Sequence, residues 1–181
     1  MTIVYNEGEV LNMSLYETIP YQVIKKENKI EMRKYDNVLL ASTKTYVNDR
    51  LDSGFSNVFR YISGANSDQS KISMTTPVVS FEEDNQLVTG FYVPSKYSKD
   101  NVPRPTSEQV YIQELSSAIY IVITFRGSWT DKNFDKHDLE LVDYIHKAGY
   151  KIISPRLIFR YQPPFVPGIF RHNEIAYQVK K

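Results

Sequence analysis

A chain of 181 residues with 41% hydrophobic content is long enough for one domain with its own core, and its net charge is only +1. No long basic run is present, which argues against a nucleic-acid partner. No apolar run approaches the roughly 18 residues of a membrane span, and the absence of cysteine removes disulfides, thiolate catalysis and cysteine-ligated metals. The start of the chain lacks a basic stretch followed by an apolar one, so a cytoplasmic protein without a signal peptide is expected. Tyr occurs 14 times and Phe 9 times, a composition that leans toward strands.

Residues 1–16 read as an irregular lead-in. Tyr21 to Ile24 and Lys29 to Tyr35 predict a hairpin around Glu27-Asn28, with Ile30, Met32 and Lys34 alternating against Glu31 and Arg33. Val38 to Val47 predicts a third strand. Leu51, Phe55, Val58, Phe59 and Ile62 then recur at helical spacing and predict a helix whose stripe lies on the core. Asn48 and Asp49 offer cap oxygens, Gly64 supplies the stop, and Gly54 inside the helix costs roughly 1 kcal/mol against Ala. Lys71 to Phe81 predicts a strand with an edge or bulge at Pro77, Glu82 to Asn85 a turn, and Leu87 to Val93 a returning strand. Residues 94–107, with three prolines, read as a surface connection.

The plan then repeats. Gln109 to Glu114 and Ala118 to Arg126 predict strands, Phe134, Leu141, Val142 and Ile145 a helix ending at Gly149, and Lys151 to Arg160 and Glu174 to Val179 the last strands. The two helices overlay at an offset of 83 positions, with Tyr61-Ile62 falling on Tyr144-Ile145, and Lys71-Ile72-Ser73 answers Lys151-Ile152-Ile153-Ser154 at an offset of about 80. The expected fold is therefore α+β. Two strand–strand–helix–strand–strand halves, about 17–93 and 108–181, would pair into one curved or closed, mostly antiparallel sheet with two helices on it, in a single domain over 1–181.

The overlay puts Asp138 on the apolar stripe, where the first helix has Phe55. A carboxylate there needs a partner or a ligand. Either it caps free backbone amides, as the spacing of Asp135-Lys-His-Asp138 suggests, or it faces a ligand cavity. The three histidines make no metal site: His137 and His146 fall on opposite helix faces, and His172 with Glu174 supplies only two ligands. There is no phosphate-cradling glycine loop and no nucleophile elbow, so no catalytic residue is assigned and the chain reads as more binding protein than enzyme.

Several motifs in one order resemble the SOUL haem-binding family. They are Glu17-Thr-Ile-Pro-Tyr-Gln-Val, Ile30-Glu-Met-Arg-Lys-Tyr, Gly54-Phe55, Tyr61-Ile-Ser-Gly-Ala-Asn66, Lys71-Ile-Ser-Met-Thr-Thr-Pro-Val78, Tyr161-Gln-Pro-Pro and Arg171-His-Asn-Glu-Ile175. The resemblance runs from about residue 17 to the end. It implies a distorted antiparallel β-barrel of two repeated halves flanked by two helices, similar to gyrase-inhibitor-like effector-binding domains. It also implies haem or another tetrapyrrole as a ligand that folding does not require. Lys34 stands where some animal members carry a histidine proposed to ligate iron. A lysine must lose its proton, with an ordinary pKa of about 10.4, before it can do the same. Lys34 and Arg60 are therefore expected to meet propionates, with Phe55 and Phe59 near the ring.

Two small-molecule function classes follow, beside a third in which the chain is a protein-interaction module with no small ligand, which an exposed tyrosine-rich patch would favour. The first is a tetrapyrrole-binding or carrier protein with its ligand in a surface cleft near the first helix. The alternative is a small-molecule effector-binding domain or hydrolase using the groove between the halves, where Glu174 or Asp138 would anchor a guest that could be cationic and tyrosines would form the walls. Phe55 and Phe59 also read as core, and Glu174 as a partner of a nearby basic residue.

Overall fold

The computed structural model describes residues 16–46 and 51–181, and every side chain among them except those of 51–53. Asn48 and Asp49, the expected caps, lie outside the described residues. In chain order the elements are β1 (Glu17–Thr18), β2 (Tyr21–Glu27), β3 (Ile30–Tyr35), β4 (Val38–Tyr46), α1 (Leu51–Ile62), β5 (Thr75–Thr76), β6 (Val78–Glu83) and β7 (Gln86–Tyr92). They continue with β8 (Val110–Leu115), β9 (Ala118–Arg126), α2 (Asp131–Lys147), β10 (Lys151–Ile152), β11 (Leu157–Arg160), a short 3-10 turn over Gly168–Phe170, and β12 (His172–Lys180).

One curled antiparallel sheet, a half-barrel, runs in the order β2-β3-β9-β12-β11-β6-β7-β4-β8, with β10 on the end of β12. Its pairing repeats when β3-β4-α1-β6-β7 is exchanged with β8-β9-α2-β11-β12. β4 pairs β7 as β9 pairs β12, and β6 pairs β7 as β11 pairs β12. β3 crosses to β9 as β8 crosses to β4, and the β6–β11 pair joins the two units at the centre.

Both faces of this sheet are covered, so its central strands carry apolar residues on both sides, each set recurring at every second position. Along β9, Tyr120 and Val122 join Leu40, Val79 and Phe159 inside the curl, while Ile121, Ile123 and Phe125 meet Leu141 and Ile145 of α2. Along β4, Val38 and Leu40 turn inward, and Leu39 and Ala41 meet Val58, Tyr61 and Ile62 of α1.

The two strands expected to be continuous are interrupted by proline, which has no N–H to give a ladder. Lys71 to Met74 is irregular, and Pro77, after a cis peptide bond, separates β5 from β6. Pro155 separates β10 from β11. The connection after β7 is packed rather than loose, because Val102 is buried and the Pro103 carbonyl accepts the Tyr61 hydroxyl at 2.7 Å. α2 starts earlier than its apolar pattern, at Thr130, whose hydroxyl accepts from the Asn133 amide.

α1 presents a different stripe from the one its apolar pattern suggests. Gly54, Val58, Tyr61 and Ile62 are buried, Phe55 is half-buried and Phe59 is 46% exposed. Gly54 explains the difference, since a β-carbon there would lie 2.7 Å from Thr89 Oγ1 and 3.0 Å from Thr89 Cβ. The missing side chain lets the helix approach β7 at that point, and this rolls Phe55 and Phe59 toward its edge. Gly54→Ala gains up to about 1 kcal/mol of helix propensity but overpacks a stiff, buried β-branched neighbour, at a cost of about 1–3 kcal/mol. A lower urea midpoint is expected for the variant; a higher one would show that Thr89 yields without strain.

Candidate functional site

The rolled edge of α1 forms one wall of an apolar cavity of about 160 Å³. Its floor is the β6–β11 seam, with Val78 and Ser80 from β6 and Arg160 from β11. Phe55 and Met74 close one side, and Trp129, Tyr161, Pro163 and Pro164 close the other. The cavity thus lies where the two repeated units meet, between α1 and the segment entering α2. Phe55 stacks on Phe59 at 5.7 Å between ring centroids, so the apolar wall continues outward onto the exposed helix surface.

Arg160 is the one cation in the lining among the described residues. Its Nη1 donates to Ser80 Oγ at 2.8 Å, and its guanidinium lies 5.4 Å from the Trp129 ring and 5.7 Å from the Phe134 ring. Its Nε is buried without an acceptor. Burial lowers its pKa to about 10, which still leaves it charged near neutral pH.

A second polar assembly lies behind Tyr161, inside the curl. Glu174 on β12 accepts two bonds from the Arg33 guanidinium at 2.8 and 2.9 Å, one from Thr124 at 3.1 Å and one from the Tyr161 hydroxyl at 2.8 Å. His172 Nε2 lies 3.2 Å from the same carboxylate, and Arg33 also donates to Glu31 at 2.7 Å and to the Tyr35 hydroxyl at 3.1 Å. Burial alone would raise the pKa of Glu174. The hydrogen bonds from His172 and Arg33, with the Arg33 charge, outweigh it and bring it down to about 2. The phenol of Tyr161 shifts the other way, raised by burial and by the adjacent carboxylate.

The sequence profile described as SOUL heme-binding protein matches residues 16–178. This chain belongs to the SOUL haem-binding family. Among curated proteins it resembles Heme-binding protein 2 of Mus musculus, 25% identical over 94% of this chain and 87% of that protein. It also resembles Heme-binding protein 2 of Homo sapiens, 27% identical over 80% of this chain and 75% of that protein. Among solved structures the fold is similar to the EcmrR C-terminal domain, with a TM-score of 0.64 and 11% identity over 89% of this chain and 98% of that one. At that identity the likeness shows the fold alone.

On this SOUL fold, the residues singled out in the sequence separate. Phe55 lines the cavity and Phe59 extends its wall. Arg60 follows on the exposed side, where its Nη2 donates to Asn57 Oδ1 at 2.7 Å. Lys34 is exposed on β3, in register with Gln22 and Ile119 on its neighbour strands, and is not part of the cavity lining. Asp138 does not cap α2, because it lies beyond the first turn that Thr130 caps. It accepts the Tyr177 hydroxyl at 2.7 Å and faces Arg156 at 3.4 Å. The basic partner of Glu174 is Arg33, while the Arg171 guanidinium bonds the Val166 and Pro164 carbonyls. His137 is buried, stacked 4.1 Å from the Phe125 ring. Arg33, Trp129 and Arg160 were not singled out. Within the SOUL chain the available signal was local: an arginine in alternation with Ile and Phe on a strand that ends in the Tyr161-Gln-Pro-Pro motif.

Arg33→Met leaves the buried Glu174 carboxylate without its guanidinium, while Glu31 keeps Lys26 at 2.8 Å, so a loss of about 3–5 kcal/mol is expected, with part of it regained when Glu174→Gln is added. The folded-state pKa of Glu174 lies below the ordinary 4.5, so its contribution is full above that value and disappears as the pH falls toward about 2. Denaturant midpoints measured across this range should fall with pH in the wild type. The fall should be shallower in Glu174→Gln, and an unchanged slope would contradict the assignment.

Proposed function

We propose that this protein binds haem or a related tetrapyrrole as a carrier, with the ligand lodged at the mouth of the cavity beside α1. The observation that carries the reading is the continuous apolar wall from Met74 and Phe55 to the exposed Phe59 ring, beside an open cleft on a chain of the SOUL family. The two relatives are named for binding heme, which favours the same ligand class here.

The residues suit a flat, largely apolar molecule with carboxylate arms. Aromatic and thioether side chains cover a ring face, and Arg60, beside Phe59 on the exposed surface, suits an outward propionate. When bound, haem would supply an iron centre and two carboxylates. Phe55, Phe59 and Met74 contribute cover and exclude water. The cavity is smaller than the roughly 300–1,000 Å³ typical of sites that enclose a whole ligand, so most of the macrocycle would lie over its mouth. Lys34, on β3 one strand in from the sheet edge and outside the cavity lining, takes no part in this arrangement.

The hydrolase and cationic-guest alternatives draw less support. Ser80, Thr75, Thr76 and Thr89 line the cavity, yet among the described residues none of them bonds a histidine. Glu174, the expected anchor for a cation, already holds the Arg33 guanidinium, which stands where a guest's charge would be. A cysteine-free chain also suits the reducing cytoplasm, which is the compartment we infer.

Haemin titrated into low-micromolar protein should give a saturable change in its absorption spectrum. Phe55→Gln should weaken binding by at least tenfold while the thermal midpoint is followed as a control, and Lys34→Ala should leave it within twofold. Absence of a saturable change in the wild type would overturn the reading.

A further inference from the structure

Arg160 is a half-buried cation, its Nε fully covered, whose acid is missing from the described residues. The other buried or half-buried arginines of the sheet and of α2's contact surface are matched. Arg33 is held between Glu31 and Glu174, and Arg156 faces Asp135 and Asp138. Arg160 has the Ser80 hydroxyl, two aromatic rings and an unpaired Nε. A guanidinium removed from water is costly unless an anion compensates it. Among the described residues the lining of this cavity contains no Asp or Glu.

We propose that the cavity is a site for the acid end of an amphipathic organic anion, anchored by Arg160, so that the ligand enters carboxylate first. The inference deepens the reading of the cavity as the ligand site and names the chemistry it selects. The planar fork of a guanidinium matches a carboxylate better than any neutral group. Ser80 Oγ accepts from Nη1 and keeps its own proton to donate to the same anion. The Trp129 and Phe134 rings, with centroids 5.4 and 5.7 Å from the guanidinium carbon, offer cation–π contact without supplying an anion. A cavity of about 160 Å³ has room for an arm of the ligand rather than a macrocycle. For a tetrapyrrole the inward group is one propionate, and for a simpler ligand it is the acid of an aryl or acyl chain. Cations and uncharged analogues are selected against, because they leave Arg160 unpaired.

The test compares ligands that differ only in charge. Fluorescence titration of the wild type with anilinonaphthalene sulfonate and with uncharged phenylnaphthylamine should favour the sulfonate by at least tenfold. Arg160→Met should abolish that preference, leave the uncharged probe within twofold, and unfold at the same temperature or higher, because a half-buried charge without an acid partner is gone. Arg160→Lys, which keeps the charge without the fork, should retain part of the preference. Equal binding of both probes by the wild type, which needs no variant to fold, would overturn the proposal. So would a preference that survives in Arg160→Met.

Haemin and its dimethyl ester separate this result from the tetrapyrrole reading. If the ester binds as well as haemin, and Arg160→Met binds haemin as the wild type does, the anchoring role fails and tetrapyrrole binding stands. If neither porphyrin binds but the sulfonate preference depends on Arg160, the anion site stands and the tetrapyrrole reading fails.

Discussion

The ion pair between Arg33 and Glu174 is the interaction on which the interior of the half-barrel depends. It is made between β3, from the first repeated unit, and β12, from the second, across the intervening β9. Two charges inside an apolar curl are tolerated because nearly all of their hydrogen-bonding capacity is used: Thr124, Tyr161 and His172 complete the carboxylate, and Glu31 and Tyr35 complete the guanidinium. The network fixes Tyr161 from inside the sheet, and Tyr161 is also a wall of the cavity outside it. The positions of the cavity walls therefore rest partly on a buried assembly that a ligand need never touch.

The two arginines, Arg33 and Arg160, divide the electrostatics of the molecule. The first is satisfied by the protein's own acids. The second lies near aromatic rings and has no acid partner among the described residues. A cation-binding site of the kind expected between the halves would need the Glu174 carboxylate to be available. Here the chain has supplied its own guanidinium to that carboxylate and left a positive charge facing the apolar cavity.

Element type and order were legible in the sequence because the apolar spacing is strong. The hairpin at Asn28, both helices and the glycine stops at Gly64 and Gly149 stand where the pattern put them, all three positions having positive φ. Which face each element buries was less legible, for a reason visible at particular residues. In a sheet covered on both sides, alternation no longer separates inside from outside. Arg33 and Glu31 thus looked solvent-facing beside Ile30 and Met32, although both are buried. On α1 the fixed point is a residue with no side chain, and no hydrophobic pattern can register a contact made by absence. Asp138 was rightly flagged as needing a partner, but that partner, Tyr177, lies on the last strand. Arg160 gave no local sign of being unpaired, since that depends on what the rest of the fold fails to place beside it.

The exchange of strands between the repeated units governs how the chain must assemble. β3 lies against β9 and β8 against β4, so each half lends its first strand to the other's sheet. Neither half alone could satisfy the backbone edges of its own inner strands, and a half made in isolation would present open ladders prone to pairing with other chains. The contacts that complete the sheet join segments far apart in sequence, which places the entropic cost of closure before most of the reward. A duplicated chain that kept its copies side by side could unfold one at a time; this one has bound them into a single cooperative event.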